Sequence, residues 1–381
     1  MTDSPQGPLA GIKVVHLASL GPGPYAAMLL ADMGCEVTII DRTGPMLVAM
    51  PQGEDPRRRG QRSIALDLKS PEARAVALDL INRSDVLIEG MRPGVTERLG
   101  LGPDDCARLN PRLIYARVTG WGQTGPLAMR AGHDINYIAL SGALHALGDA
   151  DRPPPVPLNL LGDYAGGGAF VAMGVIAALY EREKSGKGQV IDGAIVDGVA
   201  SLTAATMGMR AAGLWGARGT NTFDGSAPWY RTYGTRDGGF VAVGALEPAF
   251  YKELLQGLGL DPALWAREDR SRWPAIADKF AEVFAAKDRD HWQSLFEGTD
   301  ACVSPVLTFD EAPAHPHHLS RGTYTSVASV VQPAPAPRMD RTPTIHLGEP
   351  PCQGAQTDIV LRELGWSAEH VKRLRAEGVA A

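Results

Sequence analysis

The chain has 381 residues, of which 44% are hydrophobic and 21% charged, with a formal net charge of −6. That length exceeds one ordinary core, so two domains are expected. The acidic balance excludes a general nucleic-acid binder and leaves only local basic clusters, suited to a small anionic ligand.

The first third alternates strand and helix patterns. Ile12–Ala18 reads as an apolar strand, Gly21-Pro22-Gly23-Pro24 as a turn, and Tyr25–Met33 as a helix. Val37–Asp41 and Ser63–Leu68 are further strands. Ser70 then serves as N-cap and Pro71 as first residue of a helix. Asp85–Glu89 and Leu113–Val118 continue the strands. Such alternation predicts an α/β fold, a parallel sheet flanked by helices. Asp163–Glu183 reads as one long helix with Asp163 at its N-cap, closed by Ser185-Gly186-Lys187-Gly188. Val190-Ile191 is a short strand and Val199–Ala212 helical. Residues 213–228 are rich in Gly, Ser, Thr and Asn and read as a linker. Trp229–Val243 reads as a hairpin turning at Arg236-Asp237-Gly238-Gly239. Helical patterns from Pro248 to Phe296 complete a smaller α+β domain. The Pro- and His-rich run His315–Arg341 reads as an extended strap, and Val360–Glu377 as a final helix or helix pair. The domains are therefore expected at 1–212, a linker at 213–228, a small domain at 229–325, and a strap with helices at 326–381 completing the large domain.

Cys35, Cys106, Cys302 and Cys352 form no CxxC pair or zinc spacing, which suits reduced, mostly buried thiols. The start MTDSPQGPLA carries no basic-then-apolar signal, and the final GVAA is no peroxisomal address. No apolar run reads as long enough to span a membrane. A cytoplasmic location without a membrane partner is the expectation.

Several residues carry chemistry. Gly21-Pro22-Gly23-Pro24-Tyr25-Ala26 fits a dinucleotide fingerprint, with Asp41 where a ribose-binding acid would stand. Pro22 and Pro24, however, remove backbone donors that would face a phosphate. Arg57-Arg58-Arg59-Gly60-Gln61-Arg62, with Arg42, Lys69 and Arg92 at strand ends, suits an anionic ligand held by guanidinium forks. Asp163 reads as a helix cap, yet the glycines at 166–168 would let something approach that turn closely. His133 is by residue type the best general base available, with His145 a rival, and Glu247 stands at a strand-to-helix junction. His133, Asp163 and Glu247 together suit removal of a carbonyl-activated α-proton on one face and its return on the other. Spacing does not show that they converge.

The stretches GPGPYAAMLLADMG, RSIALDLKS, DVLIEGMRPGVTERLGLG, RLIYARVTGWGQTGP, AGHDINYIALSG, LNLLGDYAGGG, GKGQVIDGAIVDG, DGSAPWYRTYGTRDGGFVAVGALEPAFY and PAPAPR span nearly the whole chain. On these it resembles the family III CoA-transferases (CaiB/BaiF) and, among them, the α-methylacyl-CoA racemases. GHDINY and the glutamate of GALEP are the racemase marks. Acyl-transferring members usually have Tyr in place of His133.

The resemblance implies a Rossmann-like large domain that binds CoA, a smaller α+β domain, and an interlaced homodimer. It implies a racemase of 2-methylacyl-CoA thioesters working through an enolate, with CoA entering as part of the substrate and no other cofactor. His133 oriented by Glu247 of the other chain would serve one face, and Asp163 the other. Asp134 and Tyr137 would meet the thioester oxygen or substrate. Leu20, Arg42, Ala65, Leu68, Lys69 and Arg92 would contact CoA. The alternative is CoA transfer between carboxylates through an anhydride on Asp163.

Overall fold

The computed structural model of the chain describes residues 7–45, 50–51, 53–344 and 348–381. Residues 1–6, which open the stretch read for a targeting signal, lie outside them. Two compact units emerge: 1–141, 157–202 and 321–381 form the first, and 142–156 with 203–320 the second.

The first unit begins with β1 (Lys13–Leu17), α1 (Pro22–Asp32), β2 (Glu36–Asp41) and β3 (Arg62–Ala65). It continues through α2 (Pro71–Asn82), β4 (Val86–Glu89), the short α3 (Val95–Arg98) and α4 (Pro103–Leu109), and β5 (Ile114–Thr119). Then come α5 (Asp134–Leu140), a π-helical stretch Leu160–Ala169 running into α6 (Phe170–Ser185), β6 (Gln189–Ala194) and α7 (Ile195–Leu202). All six strands are parallel, in the order β3-β2-β1-β4-β5-β6. Their apolar runs are buried on both faces, as a parallel sheet requires. Val14, Ile88, Ala116 and Val118 pack with Leu30 of α1 and Val175 of α6. Val15, Leu17, Ile64 and Leu87 pack on the opposite face with Val76 of α2 and Leu361 and Leu374 near the C-terminus. The chain leaves β1 toward β2 and β3, and returns on its other side to β4, so a crevice opens beyond the ends of β1 and β4.

The second unit carries α8 (Ala204–Ala211), then β7 (Tyr230–Gly234) and β8 (Phe240–Gly244) joined as the expected hairpin. It continues with α9 (Pro248–Gly257), α10 (Trp273–Phe284), α11 (Arg289–Phe296), β9 (Val303–Pro305) and α12 (Pro316–Arg321). β9 pairs antiparallel with β8. Its core is aromatic: Trp229, Tyr233, Tyr251, Phe280, Phe284 and Trp292 pack together. The chain re-enters the first unit through the hairpin β10 (Tyr324–Val327) and β11 (Val330–Pro333), then ends in α13 (Thr357–Glu363) and α14 (Ala368–Ala376).

Several local expectations change. The strap is not simply extended: it forms α12 and the β10–β11 hairpin. That hairpin turns on Ala328 and Ser329, both at positive φ, without the Gly or Asn that advertises such a turn. The helix read over 199–212 is two helices, with Thr203 between them. Asp163 is not an N-cap: the helical turn starts at Leu160 behind Asn159. Contrary to expectation, the helical run Leu160–Ser185 is, by length and composition alone, long and apolar enough to cross a membrane. Its buried face, Val171, Ala172, Val175, Ala178 and Leu179, packs into the core on the sheet. Cys35 and Cys106 are buried, but Cys302 and Cys352 are exposed.

Candidate active site

A cleft of about 1000 Å³ opens in the first unit over the strand ends at the crevice. Its lining comes from the segments after β1 (Ser19, Leu20, Gly21), β2 (Arg42), β3 (Leu68, Lys69) and β4 (Arg92), and from His133, Asp134, Tyr137 and Asp163.

Asp163 is set by its unusual helix. A π-turn is wider than an α-turn and is frequent at functional sites. Within it the Asp163 N–H donates to Asp134 Oδ2 at 2.6 Å, and Asn159 Nδ2 donates to Asp163 Oδ2 at 3.3 Å. The carboxylate rests on Gly21, where a Cβ would stand 2.6 Å from Oδ2. Gly21 caps α1 at φ 61 and ψ −110, so the positive end of that helix faces Asp163. A carboxylate thus holds the space a pyrophosphate would need, which closes the dinucleotide reading of this turn. Burial pushes the Asp163 pKa up, and the charge of Asp134 adds to it; the Asn159 bond and the positive charges of His133 and Arg57 pull it back.

The glycines at 166–168 admit neighbouring elements, not a ligand. A Cβ on Gly166 would stand 2.5 Å from Val199 Cγ2 of α7, and on Gly168 2.7 Å from the Pro22 carbonyl oxygen of α1. The close packing of α1 and α7 on this helix fixes where Asp163 points.

His133 stands before α5 in extended backbone, exposed at the cleft. Its N–H donates to Asn136 Oδ1 at 3.0 Å. The Tyr137 hydroxyl donates to the Gly132 carbonyl, and its ring meets Trp121 edge-on at 4.7 Å. Burial raises the Tyr137 pKa, and the charge of Asp163 adds to the rise. Tyr137 therefore lines the cleft while its proton holds the turn that presents His133. Asp134 is 7% exposed; Oδ2 takes the Asp163 N–H, and Oδ1 is buried without a hydrogen-bond partner among the described residues.

The arginine run is committed to carboxylates of its own unit. Arg57 forks onto Asp55 at 2.9 and 2.8 Å, Arg58 pairs with Asp41, and Arg59 forks onto buried Asp32 at 2.9 and 2.5 Å. Asp41 also accepts from Ser63 Oγ at 2.6 Å, so it is no open ribose acid. Arg42, Lys69 and Arg92 make no ion pair among the described residues, and they line the cleft beside Leu20 and Leu68. Ala65 does not line it: it is 1% exposed, its N–H donating to Thr357 Oγ1 and its carbonyl accepting from the Ala381 N–H. Glu247 is exposed in the second unit at the N-cap of α9, and His145 lies in a short turn of that unit.

Trp121, Ser19 and His16 line the cleft, and Asn159 holds Asp163, without having been singled out in the sequence. Only Asn159 had a readable signal, its i,i+4 spacing to Asp163 in Leu-Asn-Leu-Leu-Gly-Asp. The cleft is thus lined by a carboxyl of raised pKa, a histidine, and three cations that make no ion pair among the described residues. Such an arrangement can exchange a proton on a ligand anchored by its negative charge.

The model of the CoA-transferase family III matches residues 9–357. The chain is 47% identical over 378 residues to the alpha-methylacyl-CoA racemase of Homo sapiens, covering 97% of each. It is 46% identical to the enzyme of the same name in Mus musculus, again over 97% of each. With the acetyl-CoA:oxalate CoA-transferase of Acetobacter aceti it shares 33%, over 86% of this chain and 88% of that one. Among solved structures, a CAIB/BAIF family protein from Brucella suis matches at TM-score 0.80 and 25% identity, over 94% of this chain and all of that one. Rv3272 from Mycobacterium tuberculosis matches at TM-score 0.77 and 26% identity, with 94% and 100% covered. From the extent of the match and the six-stranded fold that carries it, the chain belongs to the CoA-transferase family III.

Proposed function

We propose that the protein interconverts (2R)- and (2S)-2-methylacyl-CoA thioesters by proton transfer at the α-carbon. The observation that carries this is that Asp163, a half-buried carboxyl whose pKa burial raises, lines one cleft with His133. The two racemases at 46 and 47% identity support the choice of reaction within the family.

His133 takes the α-proton from one face, and the electron pair of the C–H bond moves onto the thioester oxygen as an enolate. Asp163, protonated, returns a proton to the other face; the reverse direction exchanges the roles. A carboxyl whose burial favours the neutral form keeps its proton closer to neutral pH, as the acid of the pair must. The backbone at the start of α5, near Asp134, stabilises the enolate oxygen, and Tyr137 acts through the Gly132 turn. Arg42, Lys69 and Arg92 hold the phosphates, with Leu20 and Leu68 against the uncharged parts of CoA. Glu247 reaches His133 from a second copy in an interlaced homodimer and holds its imidazole in one tautomer. Nothing in this chemistry asks for a redox cofactor.

The test is α-proton exchange in D2O. Each epimer of a 2-methylacyl-CoA should incorporate deuterium and epimerise with no acyl acceptor present. In single-turnover exchange His133→Ala should slow one epimer more and Asp163→Ala the other. An unexchanged α-proton, with hydroxylamine trapping an acyl group on Asp163, would instead mark a CoA-transferase.

A further inference from the structure

β1 has one polar side chain inside the sheet, His16. It stands in register between Ile39 of β2 and Ile88 of β4 and is 2% exposed. Burial, with the Arg58 charge behind it, takes its pKa down to about 3, so the ring is neutral. Its Nε2 lies 3.0 Å from Ser19 Oγ, and Nδ1 is buried without a hydrogen-bond partner among the described residues.

The pair fits because two glycines leave a slot. A Cβ on Gly23, in the first turn of α1, would stand 2.2 Å from Ser19 Oγ and 3.1 Å from His16 Nε2. A Cβ on Gly90, just past β4, would stand 3.1 Å from the same hydroxyl. Ser19 is therefore seated in the crevice between β1 and β4, half-buried and lining the cleft.

A neutral imidazole carries one N–H. On Nδ1 it would be a buried donor without an acceptor, the rarer and costlier arrangement. On Nε2 it donates to Ser19 Oγ, which leaves the serine's own O–H free to donate to a ligand in the cleft that Ser19 lines. Two residues on, Gly21 touches Asp163, while Arg42, Lys69 and Arg92 follow β2, β3 and β4 in the lining of the same cleft. A CoA thioester laid from Asp163 to those cations presents its pantetheine arm between them, and the polar groups of that arm are chiefly amides.

We propose that Ser19 donates a hydrogen bond to an amide carbonyl of the pantetheine arm, and that His16 is the positioning residue that aims it. The inference rests on the thioester reading above.

Three probes test it: CoA, 3′-phospho-ADP, which lacks the arm, and a 2-methylacyl-CoA as substrate. Ser19→Ala should weaken CoA binding about three- to ten-fold, the range of one neutral hydrogen bond, and leave 3′-phospho-ADP unchanged. KM should rise by the same factor with kcat nearly constant, as when binding is lost equally from ground and transition states. His16→Gln, which keeps an N–H donor, should retain wild-type affinity. His16→Leu should match Ser19→Ala, and the double variant should be no worse. Wild-type CoA affinity in Ser19→Ala, or equal losses for CoA and 3′-phospho-ADP, overturns the proposal. A folded wild-type protein that binds neither probe overturns the thioester reading along with it. Should His16→Leu fail to fold, Ser19→Ala decides alone.

Discussion

Gly21→Ala is the sharpest perturbation of the proposed chemistry. The added Cβ would stand 2.6 Å from Asp163 Oδ2, where ordinary contact begins at 3.4 Å. The carboxylate must give way by roughly 1 Å, a misplacement that costs about 100-fold in rate where geometry is catalytic. In barrier terms that is about 2.7 kcal/mol. The backbone at φ 61 and ψ −110 adds strain of about 1–3 kcal/mol for a residue with a side chain. Gly100→Ala separates the two effects: Gly100 sits at φ +68 with nothing within 4 Å of its would-be Cβ. Deuterium exchange of each epimer, followed by NMR, with chemical denaturation alongside, reads both. Gly100→Ala should lose about 1–2 kcal/mol of stability and keep wild-type exchange. Gly21→Ala should lose stability and about two decades of exchange. If Gly21→Ala is destabilised yet exchanges both epimers at the wild-type rate, the carboxylate resting on Gly21 is not the reacting group.

Asp163→Asn should abolish racemisation, slow exchange of one epimer far more than the other, and raise the melting temperature at neutral pH. Burial favours the protonated acid in the folded state, so the stability this group contributes is complete below its unfolded pKa and is lost as pH rises through the raised folded value. The gap between variant and wild type should close toward acid pH, and a constant gap from roughly pH 4 to pH 8 refutes that cause. Arg59→Ala leaves Asp32, 3% exposed, without its fork, and urea unfolding should show a loss of about 3–5 kcal/mol. A loss under about 1 kcal/mol would mean the pair adds no more than a surface ion pair. Arg92→Ala should raise KM for the thioester about ten-fold with kcat kept, and flatten its salt dependence. A fall in kcat at constant KM would take Arg92 out of phosphate binding.

Much of the sheet was legible because its strands are short apolar runs punctuated by Gly and Pro. The Ser70-Pro71 start of α2 was equally plain: the Ser70 Oγ accepts from the Glu72 N–H as a cap should. The β10–β11 hairpin was not, since Ala328 and Ser329 carry no turn signature, and β9 is only three residues ending in proline. The arginine run misled for a related reason. A guanidinium looks free in sequence, and the carboxylates that claim Arg58 and Arg59 lie 17 and 27 residues away.

The site divides the same way. Residue types and local motifs marked His133, Asp163 and the strand-end cations, because their chemistry is carried by side chains that the sequence names. Which of those groups are spent on the fold and which face a ligand was decided only by tertiary packing. The wide turn beginning at Leu160 moved Asp163 from a capping position onto Gly21, and the glycines at 166–168 proved to be seats for α1 and α7. Burial then set the direction of its pKa. A residue's chemistry is local, but its protonation and its partners depend on what the fold brings within a few ångströms.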